Sequence, residues 1–263
     1  MTSNCKLYFL IPFLFLSYSS IGQILNIEKS RLDAGDSSHW VGNISLTYQL
    51  INQQIKTQGG GIKANLAHVG QANDYILIGD ISYLNSEGFN LLQNGYVHAR
   101  AEMMKDHKLS YELFTQIQYD QVKGMQERFL IGGNLRWSVY NKDKNSFVLA
   151  AGTFYENEEW YWEEYTNDAT ITTKAHPSIF RFNAYFTYRT DINDNVYFNL
   201  TTYFQPKYTS IEEFRISGIA NLNFRITKNL FFKNSFTLWY DNAPYVPIDQ
   251  LNYTLKNGIS YNF

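Results

Sequence analysis

What most limits the fold of this chain is a period-two alternation of apolar and polar residues. It runs in stretches of about ten residues from near Trp40 to the last residue. The clearest stretch is Leu109-Ser110-Tyr111-Glu112-Leu113-Phe114-Thr115-Gln116-Ile117-Gln118-Tyr119-Asp120, where odd positions are mostly apolar or aromatic and even positions mostly polar. Phe129, Ile131, Gly133, Leu135, Trp137 and Val139 alternate in the same way with Arg128, Asn134, Arg136 and Ser138. So do Phe214, Ile216, Gly218, Ala220, Leu222, Phe224 and Ile226 with Arg215, Ser217, Asn221, Asn223 and Arg225. A helix repeats every 3.6 residues, whereas successive strand residues point to opposite faces, so these stretches predict strands with one greasy and one wet face.

Strands of about ten residues, tilted, are long enough to cross a bilayer. The alternation predicts strands over 39–51, 60–70, 74–85, 92–104, 108–120, 127–140, 146–156, 177–190, 195–206, 213–227, 230–241 and 251–263. After the first segment no run of 18 apolar residues occurs, so any membrane crossing must be made by a closed sheet. The chain carries 21 Tyr and 19 Phe, and its mean hydropathy is nevertheless −0.34. An apolar outside with a wet inside produces that combination, although an aromatic-rich soluble sandwich would share it.

The connections separate these two readings. Every second one is a short polar turn: Gln71-Ala72-Asn73, Lys105-Asp106-His107, 141–145, 191–195 and Thr227-Lys228-Asn229. The intervening ones, 53–59, 85–91, 121–126, 157–176, 206–212 and 242–250, are mostly longer. Short turns at one end and long loops at the other mark an outer-membrane barrel. The expected fold is therefore all-β, a transmembrane antiparallel up-and-down β-barrel of about twelve strands, monomeric because closure leaves no edge.

The chain is expected to divide into a signal peptide (1–22), a periplasmic lead-in (23–38) and the barrel (39–263). Lys6, the apolar run from Leu7 to about Tyr18, and the small residues Ser19, Ser20 and Gly22 form the export signal. The one cysteine, Cys5, precedes the apolar run, so the mature chain is expected to lack disulfides and thiolate metal sites. A net charge of −2 gives no reason to expect nucleic acid. The last strand puts Tyr253, Leu255, Ile259, Tyr261 and Phe263 on one face. A strand ending on an aromatic residue resembles the signal read by the barrel insertion machinery. The expected surroundings are outer-membrane lipid and lipopolysaccharide.

Several segments also resemble a known family: Tyr111 to Asp120, then Glu127-Arg128-Phe129-Leu130-Ile131-Gly132-Gly133, Ala151-Gly152-Thr153-Phe154-Tyr155-Glu156, Tyr203-Phe204-Gln205-Pro206 and Leu255-Lys256-Asn257-Gly258-Ile259. In order and spacing they resemble the YdiY-like, salt-induced outer-membrane proteins, from about residue 40 onward. The resemblance implies an outer-membrane barrel of uncharacterised role, with no catalytic residues and no assigned substrate.

The alternation assigns Lys63, Arg100, Arg128, Arg136, Arg181, Arg189, Arg215, Arg225, Lys233 and Lys256 to the lumen, with Asp80, Glu102, Glu112, Asp120 and Asp241. Arg100, Glu112, Arg128, Arg136, Arg181, Arg215, Arg225 and Lys256 are the candidate lumen-lining set. A basic lumen would focus small anions; equally, the charges would pair and fill the barrel. The acids Glu156, Glu158, Glu159, Glu163, Glu164 and Asp168, mixed with Trp160, Tyr161, Trp162 and Tyr165, are expected in a long loop. There they are solvated or ion-bridged to lipopolysaccharide, or they offer oxygens to a hard cation. His98, Ser110 and Glu112 on adjacent strands are the best arrangement for a hydrolase, with no oxyanion-hole signature beside them. No enzyme, cofactor or metal is expected. Three roles remain: a structural or stress-responsive barrel with a filled lumen, an anion-preferring channel, and a membrane-embedded hydrolase. For a channel, Arg136→Glu with Arg225→Glu is expected to weaken anion preference.

Overall fold

The computed structural model describes residues 38–52, 56–142, 144–165 and 170–263. The expected signal segment and all of the lead-in but Ser38 lie outside the described residues, as does Asp168. The strands are β1 (His39–Asn52), β2 (Lys56–Val69), β3 (Asn73–Ser86), β4 (Phe89–Met103), β5 (Leu109–Asp120), β6 (Met125–Lys142) and β7 (Asn145–Tyr165). Then come β8 (Thr170–Ala175), β9 (Ser178–Asn193), β10 (Val196–Pro206), β11 (Phe214–Arg225), β12 (Leu230–Asp241) and β13 (Leu251–Asn262).

All pairings are antiparallel, and β1 pairs with β13, Leu46 opposite Ile259, so the sheet closes on itself. Both β8 and β9 pair with β7, β8 along Trp160–Tyr165 and β9 along Asn145–Asn157. These two share one place in the wall, so the thirteen described strands make a barrel of twelve positions. The break falls at His176-Pro177, where proline has no N–H for the ladder.

Burial follows the alternation, with polarity inverted relative to a soluble protein. Along β5 the buried positions include Ser110, Glu112, Gln116 and Asp120, whereas Leu113 and Ile117 are more than half exposed. Buried charge beside exposed leucine and isoleucine is the reverse of what water selects, and it fits a wall with lipid outside. The inside is not uniformly wet. Ala67, Ile76, Ile78 and Tyr96 pack together inside, as do Phe114, Leu130 and Phe154, and Val148, Ala150, Tyr185 and Tyr203.

Three connections differ from the sequence expectation; between β1 and β2 strand runs to Asn52 and resumes at Lys56, so 53–59 is mostly not a loop. Strands β3 and β4 meet in a tight turn at Glu87-Gly88, not a long loop, with φ of 47° and 89°. Two central residues at positive φ match the right-handed twist of a hairpin, and glycine adopts that conformation without strain. The segment expected as a loop over 157–176 is largely strand: β7 and β8 form a hairpin projecting beyond the rest of the wall. The ends of the barrel are called here the loop end, bearing this hairpin and the segments 207–213 and 242–250, and the turn end.

Candidate functional site

Inside the loop-end half, ionic groups from five wall positions converge. Inward positions on β7 are even-numbered, so the run Val148, Ala150, Phe154 continues through Glu156, Glu158 and Trp160, and all six are buried. Arg128 on β6 places Nη2 2.7 Å from Glu156 Oε2 and Nε 3.0 Å from Glu158 Oε1. From β9, Arg181 donates through Nε to Glu156 Oε1 at 2.5 Å. Arg215 on β11 donates to both oxygens of Glu158, at 2.7 and 3.0 Å, and to Asp241 Oδ2 on β12 at 2.7 Å. Its Nη1 is also 3.2 Å from each oxygen of Glu156. Strands β9 and β10 lie between β7 and β11, so Arg215 spans a chord of the barrel. Arg128, Arg181 and Arg215 are thus matched by Glu156, Glu158 and Asp241, and the layer is neutral.

The segment 242–250 folds over this layer. Val246, 3% exposed, packs on Met125 and Trp160, and the Trp160 indole donates to Glu158 Oε2 at 2.9 Å. Lys207 pairs with Glu213, its ammonium 4.7 Å from the centre of the Tyr245 ring. Burial draws the Lys207 pKa down, but its bond to Glu213 and the neighbouring Tyr245 phenol outweigh it and leave the group above its usual value. Burial, reinforced by the Glu158 charge, raises the Tyr245 phenol against the pull of Arg215 and Lys207.

A second neutral network fills the turn-end side. Glu112 accepts from Arg100 at 3.1 Å, from the Tyr185 hydroxyl at 2.6 Å and from Asn134 at 3.2 Å. Arg136 donates to Glu102 at 3.0 Å, and the Ser110 hydroxyl meets the same carboxylate at 3.0 Å. Tyr185, on β9, reaches Glu112 on β5 past the two intervening strands β6 and β7. Gln205, Asn183 and Asn134 extend the network as a chain of amide hydrogen bonds at 3.1 and 2.9 Å.

The wall made by β1, β2, β3, β12 and β13 differs. There Lys63, Lys233 and Lys256 line a cavity of about 70 Å³ with Asp80 as its one carboxylate. Lys63 donates to the Tyr96 hydroxyl at 3.0 Å and lies 3.8 Å from Asp80, and Lys256 donates to the Ser82 hydroxyl at 3.0 Å.

Of the candidate set, Arg128, Arg181 and Arg215 come together in the loop-end layer, and Arg100, Glu112 and Arg136 in the turn-end network. Lys256 lies on the lysine wall. Arg225 stands apart at the turn end of β11, exposed, its guanidinium 5.7 Å from the Phe231 ring centre. His98 and Ser110 are not brought together. In register His98 faces Gln116, six residues along β5 from Ser110, a separation of about 20 Å at strand rise. The His98 ring takes its hydrogen bond with Gln116 at 3.0 Å. Glu156 and Glu158, assigned from sequence to a loop, are the central acids of the lumen. Glu159 and Glu164 are exposed.

A closed antiparallel barrel with an apolar outside and an ion-paired interior defines a membrane-spanning β-barrel of the outer-membrane type. The family described as "Protein of unknown function, DUF481" matches residues 35–263, and the chain belongs to it. No curated protein matches the chain. Among solved structures the chain is similar to the NanC porin, with 10% identity, TM-score 0.46, and coverage of 84% of this chain and 98% of that one. It is similar to the COG4313 outer membrane channel from Pseudomonas putida F1, with 9% identity, TM-score 0.48, and coverage of 88% and 99%. The translocator domain of the autotransporter NalP from Neisseria meningitidis gives 11% identity, TM-score 0.47, and coverage of 89% and 93%.

Proposed function

We propose that this protein is a non-enzymatic outer-membrane barrel with a largely filled lumen, serving a structural or stress-responsive role. The resemblance to the YdiY-like, salt-induced proteins supports the stress-responsive part. The exposed aliphatic and aromatic face supports a bilayer location, with lipid and lipopolysaccharide as its surroundings. An even number of wall positions brings both ends of the barrel to one side, which supports a turn end in the periplasm and a loop end outside. The last strand, ending at Phe263, is the segment offered to the insertion machinery.

The observation that carries the filled-lumen reading is Glu156 gripped by Arg128, Arg181 and Arg215 from three different strands. A buried carboxylate with that many charge-assisted partners is held rigidly, because breaking one contact exposes an uncompensated charge. The groups that would face a permeating solute therefore face each other. Liposome swelling tests this reading: proteoliposomes holding the refolded barrel should swell in small sugars no faster than empty ones. Swelling as fast as an open porin allows would overturn it.

A second reading, a channel preferring anions, is favoured by the lysine wall, where cations outnumber carboxylates. Swelling of the same liposomes in small anionic solutes, but not in neutral ones, would select it.

A further inference from the structure

We propose that the cavity lined by Lys63, Lys233 and Lys256 is a binding site for one small tetrahedral oxyanion of the inorganic phosphate class.

The barrel register builds the cavity. Lys233 lies opposite Gly258, Gly61 opposite both Thr47 and Ser82, and a Cβ on Gly258 would stand 3.0 Å from Thr47 Cγ2. Thr47 therefore stands between two inward glycines in one row across the wall. Thr47 and Ser82 close in on these glycines, a Cβ on Gly61 standing 2.8 Å from the Ser82 hydroxyl, and the lysines rise around them to enclose the cavity. About 70 Å³ corresponds to roughly five water-sized positions, enough for a small oxyanion and too little for a lipid headgroup with its chains.

Its chemistry is that of an anion site. The lining holds the hydroxyls of Ser45, Thr47, Ser82, Ser235 and Thr237 beside the three ammonium groups. Hydroxyl and ammonium donors together suit an acceptor-rich oxyanion. The charge balance points the same way. Arg100, Arg128, Arg136, Arg181 and Arg215 each have a carboxylate partner inside the barrel. Here three half-buried lysines have Asp80 as the one carboxylate among them, so basic groups outnumber acids in a partly enclosed space. Among the described residues Lys233 has no ion pair or hydrogen bond, and the Ser45 hydroxyl is buried without a partner. Half-buried ammonium groups crowded together repel one another, and an anion seated among them would offset that repulsion. The inference needs the closed barrel but not the filled lumen, because occupancy and flux are read separately.

Titration calorimetry of the refolded barrel in detergent with inorganic phosphate tests it. The expected result is one saturable site per barrel. Lys233→Met should weaken it by about ten- to a hundredfold, the loss of one hydrogen bond to a charged group. Lys228→Met removes an exposed charge on a turn and should leave binding unchanged. No saturable binding, or equal weakening in both variants, overturns the proposal. Wild-type protein gives a reading that needs no variant: phosphate should slow acylation of Lys233 and Lys256, read by mass spectrometry, and not that of Lys228. Lys233 modified at the same rate with and without phosphate, or never modified, overturns it as well.

Discussion

Arg215 grips Glu158 with both ends of its guanidinium, Nη1 to Oε1 at 2.7 Å and Nη2 to Oε2 at 3.0 Å, across the two wall strands that separate β11 from β7. The same guanidinium holds Asp241 on its other side, so one residue ties three wall positions together. Arg215→Ala leaves those carboxylates buried with a partner missing, a loss of about 3–5 kcal/mol. The urea midpoint of the barrel in vesicles should fall accordingly. Arg225→Ala, at an exposed arginine, should barely move it.

Tyr185 ties the turn-end network across the barrel, its hydroxyl 2.6 Å from Glu112 Oε2. Tyr185→Phe removes one hydrogen bond to a buried carboxylate and should cost about 1–3 kcal/mol in the same unfolding assay. Tyr188 points outward on the same strand, so Tyr188→Phe is the matched control and should be near neutral.

These networks show what the alternation could and could not reveal. It placed all twelve wall segments, because each inward-to-outward switch repeats on every strand, and it assigned Arg128, Arg181 and Arg215 to the inward face. It did not reveal Glu156 and Glu158. The density of acids and aromatics from Glu156 to Tyr165 reads as a loop, although the even-numbered series from Val148 through Phe154 continues through both glutamates. With them left out, basic groups outnumber acids in the lumen as a whole. With them in place, the loop-end layer is neutral and the unmatched cations gather at Lys63, Lys233 and Lys256. Partners such as Tyr185 with Glu112 come from strands far apart in the closed wall, and period-two patterning carries no information about which residues meet across a lumen. The expectation for Arg136→Glu with Arg225→Glu changes too: Arg136 lies against Glu102 and Glu112, so a glutamate there sets three carboxylates together. Failure to refold is the expected outcome, read by the mobility of the unheated protein in a denaturing gel.

At the seam where the barrel closes, Phe263 and Gly42 exchange two backbone hydrogen bonds of 3.0 Å, and a Cβ on residue 42 would stand 2.6 Å from Phe263 Cζ. The ring lies in the space a side chain would take. Gly42→Val should displace it and cost about 1–3 kcal/mol by overpacking. Phe263→Ala should slow assembly into vesicles containing the insertion machinery more than into pure lipid.

The cover over the loop end depends on pH. Lys207 and Tyr245 both have pKa values raised in the folded state, so their contribution is complete below about pH 10, where both also hold their protons when unfolded. It is lost as pH rises through the folded values. Segment 242–250 should therefore stay docked from neutral pH to about pH 10 and loosen above that. A red shift of indole emission that disappears in Trp160→Phe is the expected signal, since Val246 of that segment packs on Trp160.

The central claim is that the Glu156, Glu158 and Arg215 layer fills the lumen. Single-channel recording across a planar bilayer, with a salt gradient, tests it most directly when the refolded wild type is compared with a triple variant carrying alanine at those three positions. The account predicts a silent wild type and steady conductance steps from the variant. Steady conductance from the wild type, equal to that of the variant, would contradict it.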